Sequence, residues 1–234
     1  MTDSRVLIVG ANGKTGSRVE VRLQAAGVAT LGVSRSTTPS FDWADASTWP
    51  AVLEGAAGAY LTYHPDLSVP EAEGHIRTFC AVASDAGLEH VVLLSGRGEE
   101  GAARAEAVLR DSGLAWNIVQ ASWFAQNYSE NFMLDGIRAG ELVVPAGTSP
   151  EPFIDIDDIA DVVVAAFMEP GLRNRLNEDT CPRAWTFAER VDEITAATGY
   201  PERLVDVQLE AYIHALRDQS VPEYLVEQLR DLFT

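Results

Sequence analysis

Residues 6–16 read VLIVGANGKTG, and no other stretch narrows the fold as much. The apolar run Val6, Leu7, Ile8 and Val9 suits a strand buried on both faces. Glycines follow at three-residue steps, Gly10, Gly13 and Gly16. Beyond them residues 17–26 predict a helix, with Val19 and Leu23 on one face and Arg18 and Arg22 off it. Strand, glycine turn and helix in that order are the context a dinucleotide-binding fingerprint requires. Gly10 is expected to let the chain leave the strand tightly. Gly13 removes a Cβ where a pyrophosphate nears the backbone, and Gly16 lets the helix pack close. The open N–H groups and the dipole at the helix start then favour phosphate.

The spacing is G-x-x-G-x-x-G, not the G-x-G-x-x-G of ordinary dehydrogenases, and a glycine turn without a ligand is its plain alternative. A triphosphate-binding P-loop fails, because Ile8 occupies the position five residues before Gly13 where that motif needs glycine.

The chain's 234 residues suit one domain, or one domain with a small attached lobe. A net charge of −18, with 17 Lys and Arg together, disfavours direct nucleic-acid binding and an anionic membrane surface. No apolar run approaches the ~18 residues that span a bilayer. The opening MTDSR runs straight into the first strand, so no secretory leader is expected. Cys80 and Cys181 lie far apart without metal-ligand spacing and read as thiols of a reducing cytoplasm.

Strands are expected at 29–34, 59–63, 90–94 and 116–119, alternating with helices at 47–54, 70–86 and 102–111. This alternation predicts a Rossmann-type, doubly wound α/β fold: a parallel sheet, right-handed crossovers and helices on both faces. The core is expected over 1–120. Residues 121–234 then supply a small C-terminal α/β lobe on the substrate side, the whole forming one nicotinamide-dinucleotide-binding domain. Later elements are a helix at 130–139, strands at 142–144 and 153–156, a helix at 157–168, and a strand from Leu176 onward. A helix at 186–198, a strand at 204–207 and two amphipathic helices within 209–233 complete the chain. Their stripes (Tyr212, Ile213, Leu216; Leu225, Leu229, Leu232) read as lobe packing, with a homodimer contact as the alternative. Asp155, Asp157, Asp158 and Asp161 invite a metal reading. A helix start capped by Asp157 or Asp158 explains them more simply, and no metal is expected.

The loop after the second strand sets cofactor type. An acid there would hold a ribose 2′-hydroxyl. This chain has Ser34, Arg35, Ser36 and Thr37, and a guanidinium among hydroxyls suits a 2′-phosphate. NADP(H) is therefore favoured over NAD(H); the plainer alternative is that Arg35 is merely a solvated loop residue. Lys14 opposes the dipole at its helix start, which a bound anion would offset. The expected cofactor-binding set is Gly10, Asn12, Gly13, Lys14, Thr15, Gly16, Arg35, Ser36, Asp42, Trp43, Thr62, Tyr63 and Ser95.

GANGKTG, Arg35, the LLSG of 93–96, the SGL of 112–114, VQASWFAQN and FIDIDDIADV together resemble the NmrA-like atypical short-chain dehydrogenases over nearly the whole chain. FDWADASTW and the compact tail are similar to the festuclavine-dehydrogenase-like branch. The resemblance implies an NADP(H)-binding Rossmann domain with a small lobe over the nicotinamide. It also implies reductases of quinones, iminium or aromatic substrates, or non-catalytic redox sensors. Gln120-Ala121 stands where the family has Arg-Pro, while Phe124 and Asn127 are retained.

No tyrosine has lysine at i+4, and Lys14 is the sole lysine. A Tyr–Lys mechanism is thereby close to excluded. An acceptor that is already electrophilic needs only register with the nicotinamide and exclusion of water. Trp123, Phe124, Asn127 and Tyr128 are the expected substrate-binding residues. Tyr63, His64 and Ser95 are the catalytic candidates, able to give a proton or hydrogen bond. The expected function is a cytoplasmic NADPH-dependent reductase of a small electrophile. The alternative is a redox sensor acting through a protein partner.

Overall fold

The computed structural model describes residues 5–233. The leader reading falls mainly on residues 1–4, outside the described residues. The chain divides into two compact units, 1–122 with 154–179, and 123–153 with 180–234.

In the first unit β1 (Arg5–Val9) leads through α1 (Lys14–Ala25) to β2 (Thr30–Val33). A short 3₁₀ turn (Ala46–Thr48) and α2 (Trp49–Leu53) lead to β3 (Ala56–Leu61). Then follow α3 (Pro70–Asp85), β4 (His90–Gly96), α4 (Glu100–Arg110) and β5 (Ala115–Ala121). The six strands of the sheet lie in the order β2-β1-β3-β4-β5-β7, every pairing parallel. Here β7 is Arg175–Asp179. The central strands are almost wholly buried, as a sheet covered on both faces demands. A core of β-strand aliphatics and the rings Phe41, Trp43, Trp49 and Phe79 fills the face carrying α2, α3 and α4. On α1, Val19 and Leu23 are fully buried, as the spacing predicts.

Residues 154–179 belong with this unit. Helix α7 (Ile156–Met168) packs beside α1. Its cap corrects the expectation: Asp155, not Asp157 or Asp158, is the N-cap and accepts from the Asp157 N–H at 2.8 Å. Asp157 and Asp161 instead meet α1. Arg18 Nε lies 3.1 Å from Asp157, and Arg22 reaches Asp157 at 2.9 Å and Asp161 at 2.7 Å. No strand forms over 153–156, because Asp155 is already ordering the helix start there. The edge strand β7 is polar and largely exposed, so it carries no buried-strand pattern to read in advance.

The second unit contains α5 (Asn127–Glu130), α6 (Leu134–Ala139), β6 (Glu141–Val144), α8 (Phe187–Thr198), β8 (Arg203–Asp206), α9 (Leu209–Asp218) and α10 (Glu223–Leu232). The helix expected at 130–139 is two helices, broken where Asn131 turns extended. β6 and β8 form a parallel pair. Tyr212, Ile213 and Val226 are buried in this unit's own core with Phe153, Phe187 and Met133, and Leu216 and Leu229 pack against it. Among the described residues no helix is long and apolar enough to cross a membrane.

Candidate functional site: the glycine turn at the carboxyl edge of the sheet

Strand order reverses around β1, since β2 lies on one side and β3 on the other. Ligands of doubly wound sheets bind at such a switch point, beyond the strands' carboxyl ends. Gly10 leaves β1 with φ +83°, a conformation that only glycine adopts without strain. A Cβ there would also overlap the Thr62 hydroxyl, which donates to the Val9 carbonyl at 3.0 Å. The Gly10 and Ala11 N–H groups donate to Val33 O at 3.0 and 3.2 Å, and Gly13 N–H to Gly10 O at 2.8 Å. Gly16 is buried directly against this turn. A Cβ on it would overlap the Gly10 carbonyl oxygen and stand 2.8 Å from the Gly10 carbonyl carbon. Thr15 is buried beside it, while Asn12 and Gly13 are exposed. Helix α1 opens at Lys14 with Gly13 as N-cap, no side-chain cap and no acid in its first turn. The helix start thus presents amides to an anion, and its own first turn carries no acid, which fits a diphosphate.

Beside the turn, Asn12 Nδ2 donates to Ser34 Oγ at 2.9 Å and Ser36 Oγ at 3.3 Å. Thr37 Oγ1 accepts from the Ser34 N–H at 2.9 Å. The loop is therefore braced around an exposed Arg35. Asp42 accepts from the Ala44 N–H, and Trp43 is buried, its indole N–H donating to Thr62 O at 3.0 Å. Trp43 is thus chiefly a core ring supporting the site.

The catalytic candidates separate. Tyr63 is half-buried, its ring 5.0 Å from that of Trp43 and stacked on His75 at 5.9 Å. Its Oη lies 2.6 Å from His75 Nδ1. Burial, with the Glu71 carboxylate adding to it, pushes the phenol up to about 12. It is fully protonated at neutral pH, the opposite of a tyrosine beside lysine. His64 is exposed. Burial of its ring and then the Arg35 charge lower its pKa, against Asp42. Ser95 is corrected outright: it is 4% exposed and donates to Glu106 Oε1 at 2.6 Å. Gln120 Nε2 donates to the same oxygen at 2.7 Å, and Arg110 meets Oε2 at 2.6 Å. Gln120, the departure from the family's arginine, thus serves a buried carboxylate that ties β4, β5 and α4 together.

In the second unit Trp123 packs edge-on to Phe187, centroids 5.3 Å apart. Tyr128 is 6% exposed against Phe153 and Phe187, Asn127 is buried, and Phe124 is half-buried. Sequence reasoning missed His75 and Glu106. His75 is twelve residues from Tyr63, on a helix, and only the crossover brings them together.

No family model matches the chain. It is 29% identical to the NAD(P)H azoreductase of Xenophilus azovorans, over 97% of this chain and 86% of the relative. Two solved structures share its fold. Citrobacter sp. triphenylmethane reductase complexed with NADP(H) has a TM-score of 0.83 at 15% identity, covering 98% of this chain and 88% of that one. The NADPH-dependent quinone oxidoreductase of Escherichia coli, complexed with NADPH, has a TM-score of 0.81 at 19% identity, covering 97% and 87%. The chain is thus similar along nearly its whole length to a NAD(P)H azoreductase, and it shares its fold with two reductases solved with NADP(H) or NADPH.

Proposed function

We propose that this protein is an NADPH-dependent reductase of small, flat, electrophilic acceptors: quinones, iminium ions, or conjugated aromatic compounds such as azo compounds. The observation that carries the reading is the fit of the Gly10–Gly13–Gly16 turn to a diphosphate, with Arg35 held beside it. When bound, the nicotinamide supplies the hydride. The chain supplies the rest. Amides at the start of α1 hold the diphosphate, and Lys14 adds charge there. Arg35, with Ser36, reads the 2′-phosphate. Tyr63 keeps a proton available, and His75 orients its phenol. Trp123, Phe124, Asn127 and Tyr128 are the proposed acceptor-binding residues. No Tyr–Lys pair takes part, since the only lysine lies in the glycine turn. The lack of a basic surface in a chain of net charge −18 supports a small-molecule partner over nucleic acid, and its unpaired thiols suit the cytoplasm.

The test is oxidation of NADPH and NADH against a panel of quinones, cyclic iminium ions and azo dyes, with wild type and Arg35→Asp. Wild type should turn over at least one class with NADPH. The variant should lose at least about tenfold more affinity for NADPH than for NADH. Silence across the panel defeats the reductase reading, and equal losses defeat the role of Arg35.

A further inference from the structure

Within the second unit one half-buried guanidinium has no carboxylate partner among the described residues, in a chain with 35 acidic residues against 17 basic ones. Arg190, on α8, lies over Trp185 at 4.8 Å and over Phe153 at 5.0 Å. Its Nη2 has only the weak acceptor Cys181 Sγ, at 4.0 Å, and its buried Nε–H has no acceptor. The neighbouring Arg183 differs. It lies 3.7 Å over the Trp185 ring and is paired with Glu189 at 2.8 Å, while Glu189 also closes the capping box of α8 with Thr186. Phe153 links Arg190 to a second unanswered group. The Tyr128 ring is 5.8 Å from that of Phe153, Tyr128 is 6% exposed, and its hydroxyl is buried without a partner. Burial raises the Tyr128 pKa, opposed by the Arg190 charge, so the phenol keeps its proton and donates.

Buried donors without acceptors are rare and costly, and a charged one more so. A water would answer the hydroxyl and leave the guanidinium without a counter-charge. An oxyanion answers both. We propose that Arg190 and Tyr128 form an oxyanion subsite for a carboxylate or sulfonate carried by a small aromatic molecule, with Phe153 and Trp185 fixing the guanidinium plane. That the aromatic anion is the acceptor rests on the reductase reading. The anion site itself does not.

The test is calorimetric titration of the full chain with naphthalene-2-sulfonate and with naphthalene-2-sulfonamide, which has the same ring and no charge. Titrations run with and without saturating NADP⁺, so that sulfonate seated on the glycine turn is displaced and recognised. With NADP⁺ present, wild type should bind the sulfonate at least about tenfold more tightly than the sulfonamide. Arg190→Gln should abolish that preference, Tyr128→Phe should reduce it several-fold, and Arg183→Gln should leave it intact. Equal binding of the two probes by wild type overturns the site, as does a preference that survives in Arg190→Gln or vanishes with NADP⁺. If Arg190→Gln does not fold by circular dichroism, Tyr128→Phe, which removes one oxygen, decides: an unchanged preference overturns the proposal. A sulfonate preference in a protein that turns over nothing retires the reductase reading and keeps the anion site.

Discussion

Gly13 and Gly16 sit three residues apart in one turn, yet alanine should harm them in different ways. At Gly16 the new methyl meets backbone only, the Gly10 carbonyl oxygen, its carbon at 2.8 Å and Ala11 Cα at 3.2 Å. Carbon atoms settle at about 3.5–4.0 Å, so the turn must retreat by roughly 0.7–1.2 Å. Alanine's helix preference over glycine returns about 1 kcal/mol. Overpacking against groups that cannot rotate away costs about 1–3 kcal/mol, so the net loss reaches about 2 kcal/mol. At about 2–4 °C per kcal/mol for a chain of this size, Tm falls by up to roughly 8 °C. At Gly13 the methyl meets a single atom, Gly10 O at 3.1 Å, and otherwise faces outward, so stability should fall by less than about 1 kcal/mol. The same methyl stands where the diphosphate approaches. Losing one charge-assisted hydrogen bond there costs about 1.5–3 kcal/mol, or roughly 10–150-fold in Kd. Thermal melts by circular dichroism and NADPH titration by calorimetry separate the two effects. A Gly13→Ala protein that melts normally and binds NADPH within about threefold of wild type refutes a diphosphate at this turn.

Tyr63→Phe and His75→Gln should each slow azo reduction by about 10²-fold while leaving iminium reduction nearly unchanged, checked by steady-state turnover of both acceptors. Similar losses on both would show a merely structural pair. Two buried groups should shape stability against pH with opposite sign. Burial lowers the pKa of His90, with Arg173 adding to it and the Asn117 hydrogen bond opposing. The unfolded chain protonates first, so the His90 contribution is present above about pH 6.5 and is lost as pH falls below it. His90→Gln should flatten that acid slope in urea melts. Asp179 is pushed up to about 6 by burial and by Asp158. Its contribution is present below the unfolded value near 3.8 and is lost as pH rises through 6, so Asp179→Asn should raise Tm at pH 7.5 and not at pH 4. A variant that moves Tm equally at both pH values contradicts this.

The sheet was legible because its signals are local. VLIV and VVLL are too apolar for any strand but a buried one, and Gly10, Gly13 and Gly16 mark the turn out of the first of them. That a loop carrying Arg35 leaves the second strand was legible because residues 29–34 read as a strand, and β2 ends at Val33. What stayed hidden depends on partners. Glu106 looks like any helix glutamate, and only the packed α4 shows Ser95, Gln120 and Arg110 converging on it. Asp155 outranks Asp157 as a cap because Arg18 and Arg22, some 135 or more positions away, claim Asp157. β7 escaped as part of the main sheet because an exposed edge strand needs no hydrophobic alternation. His75 escaped because helix periodicity places it on a face and says nothing of the ring opposite.

The missing lysine and the raised Tyr63 phenol bear on which acceptors suit this site. A lysine beside tyrosine lowers the phenol so that alkoxide and alcohol interconvert near neutrality. Here burial drives Tyr63 the other way, to about 12, with the His75 imidazole as its partner. A phenol at that value gives its proton readily only to a stronger base. A quinol oxyanion, a phenolate of the ordinary class near 10, is too weak a base to draw on that phenol and takes its proton from buffer acids at neutral pH. An iminium carbon that receives hydride becomes a neutral amine and needs no proton at all. The nitrogen anion left when hydride adds to an N=N bond is basic enough to take the Tyr63 proton, and His75 fixes the phenol for it. On the proposed reading, the site is selective by proton demand: it serves all three acceptor classes by positioning, and only the last calls on Tyr63 chemically.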